Sequence, residues 1–138
     1  MRTEEELHQE LMEDIAIRKA LIANMMQESL QDEDGYPTEN ALNIVEKWHW
    51  IDPKGWFEFV RSIWAYADWG WREDDVKHEF KDKIVHQYKI STAGWSGNES
   101  IIRAMQRNEM MWNLNWVQSR RGGHYIFEED ETLFGVEE

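Results

Sequence analysis

At 138 residues the chain has the size of one domain, able to bury most of the apolar surface its unfolded form exposes. Nine tryptophans, five phenylalanines and four tyrosines promise an aromatic core, and the absence of cysteine excludes disulfides, thiolate nucleophiles and cysteine-ligated metal centres. A net charge of −13 argues against general binding to nucleic acid or to anionic membranes, both of which require Lys and Arg to neutralise phosphate.

The start, Met1-Arg2-Thr3-Glu4-Glu5-Glu6, lacks the basic-then-apolar layout of a signal peptide, and no apolar run approaches the roughly 20 residues that span a bilayer. The expectation is a soluble, cytoplasmic protein. The first 31 residues read as one long helix. Thr3 and Glu6 spell a capping box, and Leu7, Leu11, Ile15, Ile22, Met25, Met26 and Leu30 recur every three to four residues with no Gly or Pro before Gly35. Such a helix docks on a core, pairs with a copy of itself or lies over a partner, so a homo-oligomer is among the expectations. Asp32 to Pro37 reads as a turn. Thr38 then caps a second helix carrying Ala41, Leu42, Val45 and Trp48, which ends near Trp50. Asp52-Pro53 opens a third, with Trp56, Val60, Ile63, Trp64 and Ala67 at helical spacing up to Gly70. The tryptophans from Trp48 to Trp71 read as core, with Trp69 and Trp71, on either side of Gly70, the ones most open to solvent.

Arg72 to Lys83 is polar, with Val76 and Phe80 its apolar anchors, and reads as loop or short helix. From Lys83 to Ser91 the period changes to two: Ile84, His86, Tyr88 and Ile90 share one face of a half-buried strand, where His86 reads as a hydrogen-bonded core residue. A tight loop, Thr92-Ala93-Gly94-Trp95, leads to a second capping box, Ser96 with Glu99, and a short helix burying Ile101, Ile102 and Met105 up to Asn108. Met111 to Ser119 alternates again and reads as a strand. Gly122-Gly123 suits a hairpin turn, and His124 to Glu128 returns as the partner strand. The reading is α+β in a single domain. A helical N-terminal part with three helices, residues 1–71, packs on a small antiparallel sheet made by a strand-helix-hairpin unit, residues 80–129. An acidic tail, 130–138, follows.

Charge is distributed unevenly. Lys81 to Tyr125 carries seven Lys and Arg against three Asp and Glu, a net of +4, whereas the rest of the chain, eight against 25, stands at −17. Within that island the helix start Gly94-Trp95-Ser96-Gly97-Asn98-Glu99 offers unpaired amides and a positive dipole end, and Arg120-Arg121-Gly122-Gly123-His124-Tyr125 offers forked cationic donors on a turn. These point to a small anionic ligand: amides after Ser96, at Gly97 and Asn98, with Arg120, Arg121 and His124, to hold a phosphate or carboxylate, and Trp95 or Tyr125 to stack on a ring. No metal-spaced His pair, Walker-type loop or nucleophile elbow is present, and neither a metal nor a cofactor is implied; the expectation leans away from an enzyme.

The two motifs, in this order and at this spacing, resemble a family of small bacteriophage and prophage proteins without an established activity. The resemblance covers about the last 45 to 60 residues, and members tend to carry a second glycine where this chain has Ala93. It implies a phage accessory protein made in the host bacterial cytoplasm. Two functions are then in view. One is a non-catalytic binding module for a nucleotide or nucleotide-derived signal that counters host defence. The alternative is an acidic inhibitor that mimics nucleic acid and occupies a basic surface of a host defence or restriction protein.

Overall fold

The computed structural model describes residues 1–129 and is α+β; the expected acidic tail at 130–138 lies outside the described residues. The helices are α1 (Glu4–Met25), α2 (Glu39–Lys47), α3 (Pro53–Ile63), α4 (Ala67–Gly70), α5 (Ser96–Arg107) and α6 (Glu109–Asn115). The strands are β1 (Trp71–Lys77), β2 (Ile84–Ser91), β3 (Trp116–Arg120) and β4 (His124–Glu129). They form one antiparallel sheet in the order β1-β2-β4-β3. The α+β class and the helical N-terminal half agree with the sequence reading.

Capping fixes the helix starts. The Thr3 hydroxyl accepts the Glu6 amide and the Glu6 carboxylate returns to the Thr3 amide, so the first capping box forms as expected. Thr38 and Asp52 cap α2 and α3 through the amides of Ala41 and Gly55. The first helix stops at Met25 rather than running through residue 31: Ser29 to Thr38 folds back, with Gln31 bridging Pro37 and Asn40 donating to the Met25 carbonyl.

The core lies between the helices and one face of the sheet. Ala41, Ile44 and Val45 of α2, Trp56, Phe57, Val60 and Ile63 of α3, and Ile101, Ile102 and Met105 of α5 meet Trp71, Tyr88, Ile90 and Phe127. Phe57 stacks on Tyr88 with ring centroids 4.0 Å apart, and Trp56 Nε1 donates to the Val45 carbonyl at 2.9 Å, so buried rings also satisfy their polar edges. Trp56, Trp64 and Trp71 are buried; Trp69 alone of the pair flanking Gly70 is open, at 57% exposure.

Three local expectations are corrected. Arg72 to Lys77 is not loop or helix but β1, an edge strand paired along its length with β2. Its polarity reflects its function within the sheet, since one face carries acids that meet cationic and hydrogen-bonding partners. Met111 to Asn115 is helical rather than extended: Asn108 caps α6 at the Met111 amide, its Nδ2 also donates to the Val45 and Trp48 carbonyls, and Met111 is fully buried. Tertiary burial and a cap override the alternating pattern, and the strand is confined to Trp116–Arg120. The second capping box does not form; Trp95 takes the cap position of α5 without a side-chain bond, and Ser96 is the first helical residue.

Candidate functional site

Thr92, ahead of the first motif, meets the second motif through the backbone. The Thr92 amide donates to the Gly123 carbonyl at 3.0 Å, so the loop before α5 lies against the β3–β4 turn. Gly123 has φ +79°, and a Cβ there would stand 2.2 Å from Thr92 Oγ1; both the turn and this close approach require glycine. Ala93 is also left-handed, at φ +56°.

The eight singled-out residues divide between packing and surface. The Trp95 ring covers Gly97, where a Cβ would sit 2.3 Å from it, and tilts against Tyr36 with centroids 4.6 Å apart. Asn98 is fully buried and its carboxamide splices two segments: Oδ1 accepts the Ala65 amide at 2.9 Å, and Nδ2 donates to the carbonyls of Ala65 at 2.9 Å and Thr92 at 3.4 Å. Ser96 is exposed, and its carbonyl accepts the Ser100 hydroxyl. Tyr125 lies on the inner face, edge-on to Trp112 at 6.1 Å. Arg120, Arg121 and His124 are exposed.

Arg120 and His124 face outward with residues from other strands. The register places Arg72 opposite Lys89, and Ser91 and Arg120 each opposite His124, in two adjacent rows on the face turned away from the helices. A basin of about 260 Å³ lies between them, lined by Trp69, Gly70, Arg72, Lys89, Ser91 and His124. Directly opposed side chains start about 5 Å apart, and two like charges in that position repel. Among the described residues neither Arg72 nor Lys89 has an ion-pair or hydrogen-bond partner. Arg72 and Lys89 escaped the sequence reading as a pair because the strand register that brings them together is not visible when Arg72 is read as loop, and Trp69 reads as open to solvent without a site beside it. The available signal was the exposed tryptophan next to Gly70.

The inner face ends in a second cluster, beyond the reach of the aromatic core. A cavity of about 340 Å³ is lined by Lys54 and Glu58 of α3 and by Glu73, Asp75, His86, Tyr88 and Glu129 of the sheet. His86 is clamped by Asp75 at Nδ1 and Glu73 at Nε2, both at 2.8 Å, while Glu73 also accepts Arg61 and Trp71 Nε1 at 2.8 Å each. Burial opposes the charged imidazole, but the Asp75 and Glu73 hydrogen bonds outweigh it and raise the His86 pKa above 6.5. Burial likewise opposes the Glu73 carboxylate, and the His86, Trp71 and Arg61 contacts overcome it, lowering its pKa. Tyr88 donates to the buried Glu129, and burial together with that carboxylate pushes the phenol well above its ordinary value. A doubly clamped imidazolium is a poor base and such a phenol a poor acid, so this cluster is suited to joining strands rather than to proton transfer. The carboxylates of Glu73, Asp75 and Glu129 already have partners, and among the described residues no three His, Asp or Glu side chains are grouped as metal ligands. The period-two pattern placed His86 correctly on the inner face; its two carboxylate partners lay in the segment misread as loop.

No helix among the described residues is long and apolar enough to cross a membrane. Comparison with known protein families, with curated proteins and with solved structures finds no match to this chain.

Proposed function

We propose that the chain is a binding module for a small anionic ligand of the nucleotide class, held on the outer face of the sheet. The observation that carries this reading is the opposed pair Arg72 and Lys89: in a chain with 28 acids and 15 Lys and Arg, these two cations stand side by side without a carboxylate partner among the described residues. A phosphate between them removes their repulsion and supplies the missing acceptor. His124, Ser91 and Arg120 add donors along the next row, and Trp69 offers an aromatic surface for a base. The second glycine that the resembling phage proteins carry at position 93 suits the left-handed backbone found here. On this reading the protein is a phage accessory factor that withholds a nucleotide-derived defence signal in the host cytoplasm, without catalysing a reaction.

The test is to denature the protein purified from bacteria, identify any small molecule released, and titrate the emptied protein with a panel of mono-, di- and cyclic nucleotides by calorimetry. Binding of at least one nucleotide, weakened on the order of tenfold or more in Lys89→Ala and in Arg72→Ala, is expected. No binding across the panel, or affinity unchanged in both variants, overturns the proposal.

A further inference from the structure

The first two turns of α1, Glu4 to Glu10, stand clear of the rest of the protein. Every residue from Met1 to Glu10 is exposed, and in the whole helix only Ile22 is buried, while Leu7, Met12, Ile17 and Leu21 are each more than 40% exposed. A helix of 22 residues is about 33 Å long, and an isolated half of it is marginal in water without a packing partner. Beside its second half runs an apolar groove of about 220 Å³, walled by Ile15, Ile22 and Met26 on one side and by Trp48 and Ile51 on the other, with Arg18 and Lys19 also lining it. With Arg18 and Lys19 against the single acid Asp52, the groove is net cationic and complements the acidic half-helix. All six acids of α1, Glu4, Glu5, Glu6, Glu10, Glu13 and Asp14, lie in the first half; Arg18 and Lys19 lie in the second, and no acid occurs from Ile15 to Gln27.

We propose that α1 is a self-association element. Two copies of the chain pair antiparallel about a twofold axis, the Glu4–Asp14 half of each α1 lying in the groove beside the Ile15–Met26 half of the other. The arrangement is reciprocal, so it closes at two copies and buries both grooves at once. It juxtaposes the acidic half of each helix with the cationic half of its mate, which a parallel pairing does not. His8, Met12, Ile15, Lys19, Ile22 and Met26 follow one another at alternating four- and three-residue steps, the spacing of a helix-pairing seam. Antiparallel pairing sets Met12 against Ile22 of the second copy and His8 against Met26. Ile17, at 67% exposure, lies on the opposite side of the helix and takes no part.

Sedimentation velocity on the full chain tests this. Wild type is expected to be a dimer at micromolar concentration, Met12→Glu and Lys19→Glu to shift toward monomer with dissociation constants raised on the order of tenfold or more, and Ile17→Glu to remain dimeric. All three positions are exposed, so circular dichroism should report the same folded body in each. A monomeric wild type, a dimer indifferent to both groove substitutions, or one equally disrupted by Ile17→Glu overturns the proposal.

Discussion

The two faces of the sheet differ in how their charges are partnered. On β1, Glu73 and Asp75 turn inward while Arg72 and Asp74 turn outward; on β2, His86 turns inward and Lys89 outward. The inner cluster is compensated: each of its strand carboxylates has a donor, from His86, Arg61, Trp71 or Tyr88. On the outer face, Arg72 and Lys89 lack such partners among the described residues. Compensated charge at the end of a core contributes to the fold, whereas opposed like charges detract from it unless something else binds there.

The largest expected effect comes from breaking the joint under both faces. Asn98→Ala removes the carboxamide that ties the Ala65 segment to Thr92 and leaves buried backbone groups without partners, at a cost of about 2–4 kcal/mol in chemical denaturation. Little change in the urea midpoint would show that the outer basin is not held by this joint. Next, Tyr88→Phe takes one donor from the buried Glu129 and should destabilise by about 1–2 kcal/mol, with the stacking on Phe57 retained.

His86→Ala gives a smaller effect with a distinctive pH signature. Because the folded His86 pKa is raised, its stabilisation is fully present below 6.5 and lost as pH rises through the folded value. Glu73, whose pKa is lowered, contributes above 4.5 and loses that contribution as pH falls through its folded value. Their pair is therefore strongest between 4.5 and 6.5. With His86 partly exposed, solvent screening limits the loss to about 1 kcal/mol. His49, buried and bonded to Asp14, has its pKa lowered by burial and so destabilises the fold as pH drops below 6.5. Only the difference between wild type and His86→Ala isolates the clamp; a constant difference from pH 5 to pH 8 would remove it from the account. Smallest in stability is Lys89→Ala, within about 0.5 kcal/mol and of either sign, because relief of repulsion from Arg72 offsets lost strand packing. Melting curves that fall substantially in this variant would assign Lys89 to the fold, and erase the distinction between the faces.

Much of this fold was legible from local chemistry. Thr3, Thr38 and Asp52 announce their helices because a cap is a bond between near neighbours, and the alternation of His86, Tyr88 and Ile90 announces β2 because one face is buried. Readings failed where distant groups decide the outcome. Met111 is helical because Asn108 reaches Val45 and Trp48, 63 and 60 residues of sequence away. The strand β1 is polar because its inward acids find His86 and Arg61. The candidate site was half legible for the same reason: Arg120, Arg121 and His124 cluster in sequence, while Arg72, Lys89 and Trp69 come to His124 only through strand pairing.

Gly123 carries a consequence for variation and redesign. Its missing side chain leaves the space that Thr92 Oγ1 occupies, so neither position is free to enlarge alone. Among homologues the residues at 92 and 123 should therefore be fixed or covary, with glycine retained at 123 by its backbone angle even where Thr92 shrinks. A library that diversifies Arg121 and His124 has that pair as its fixed frame.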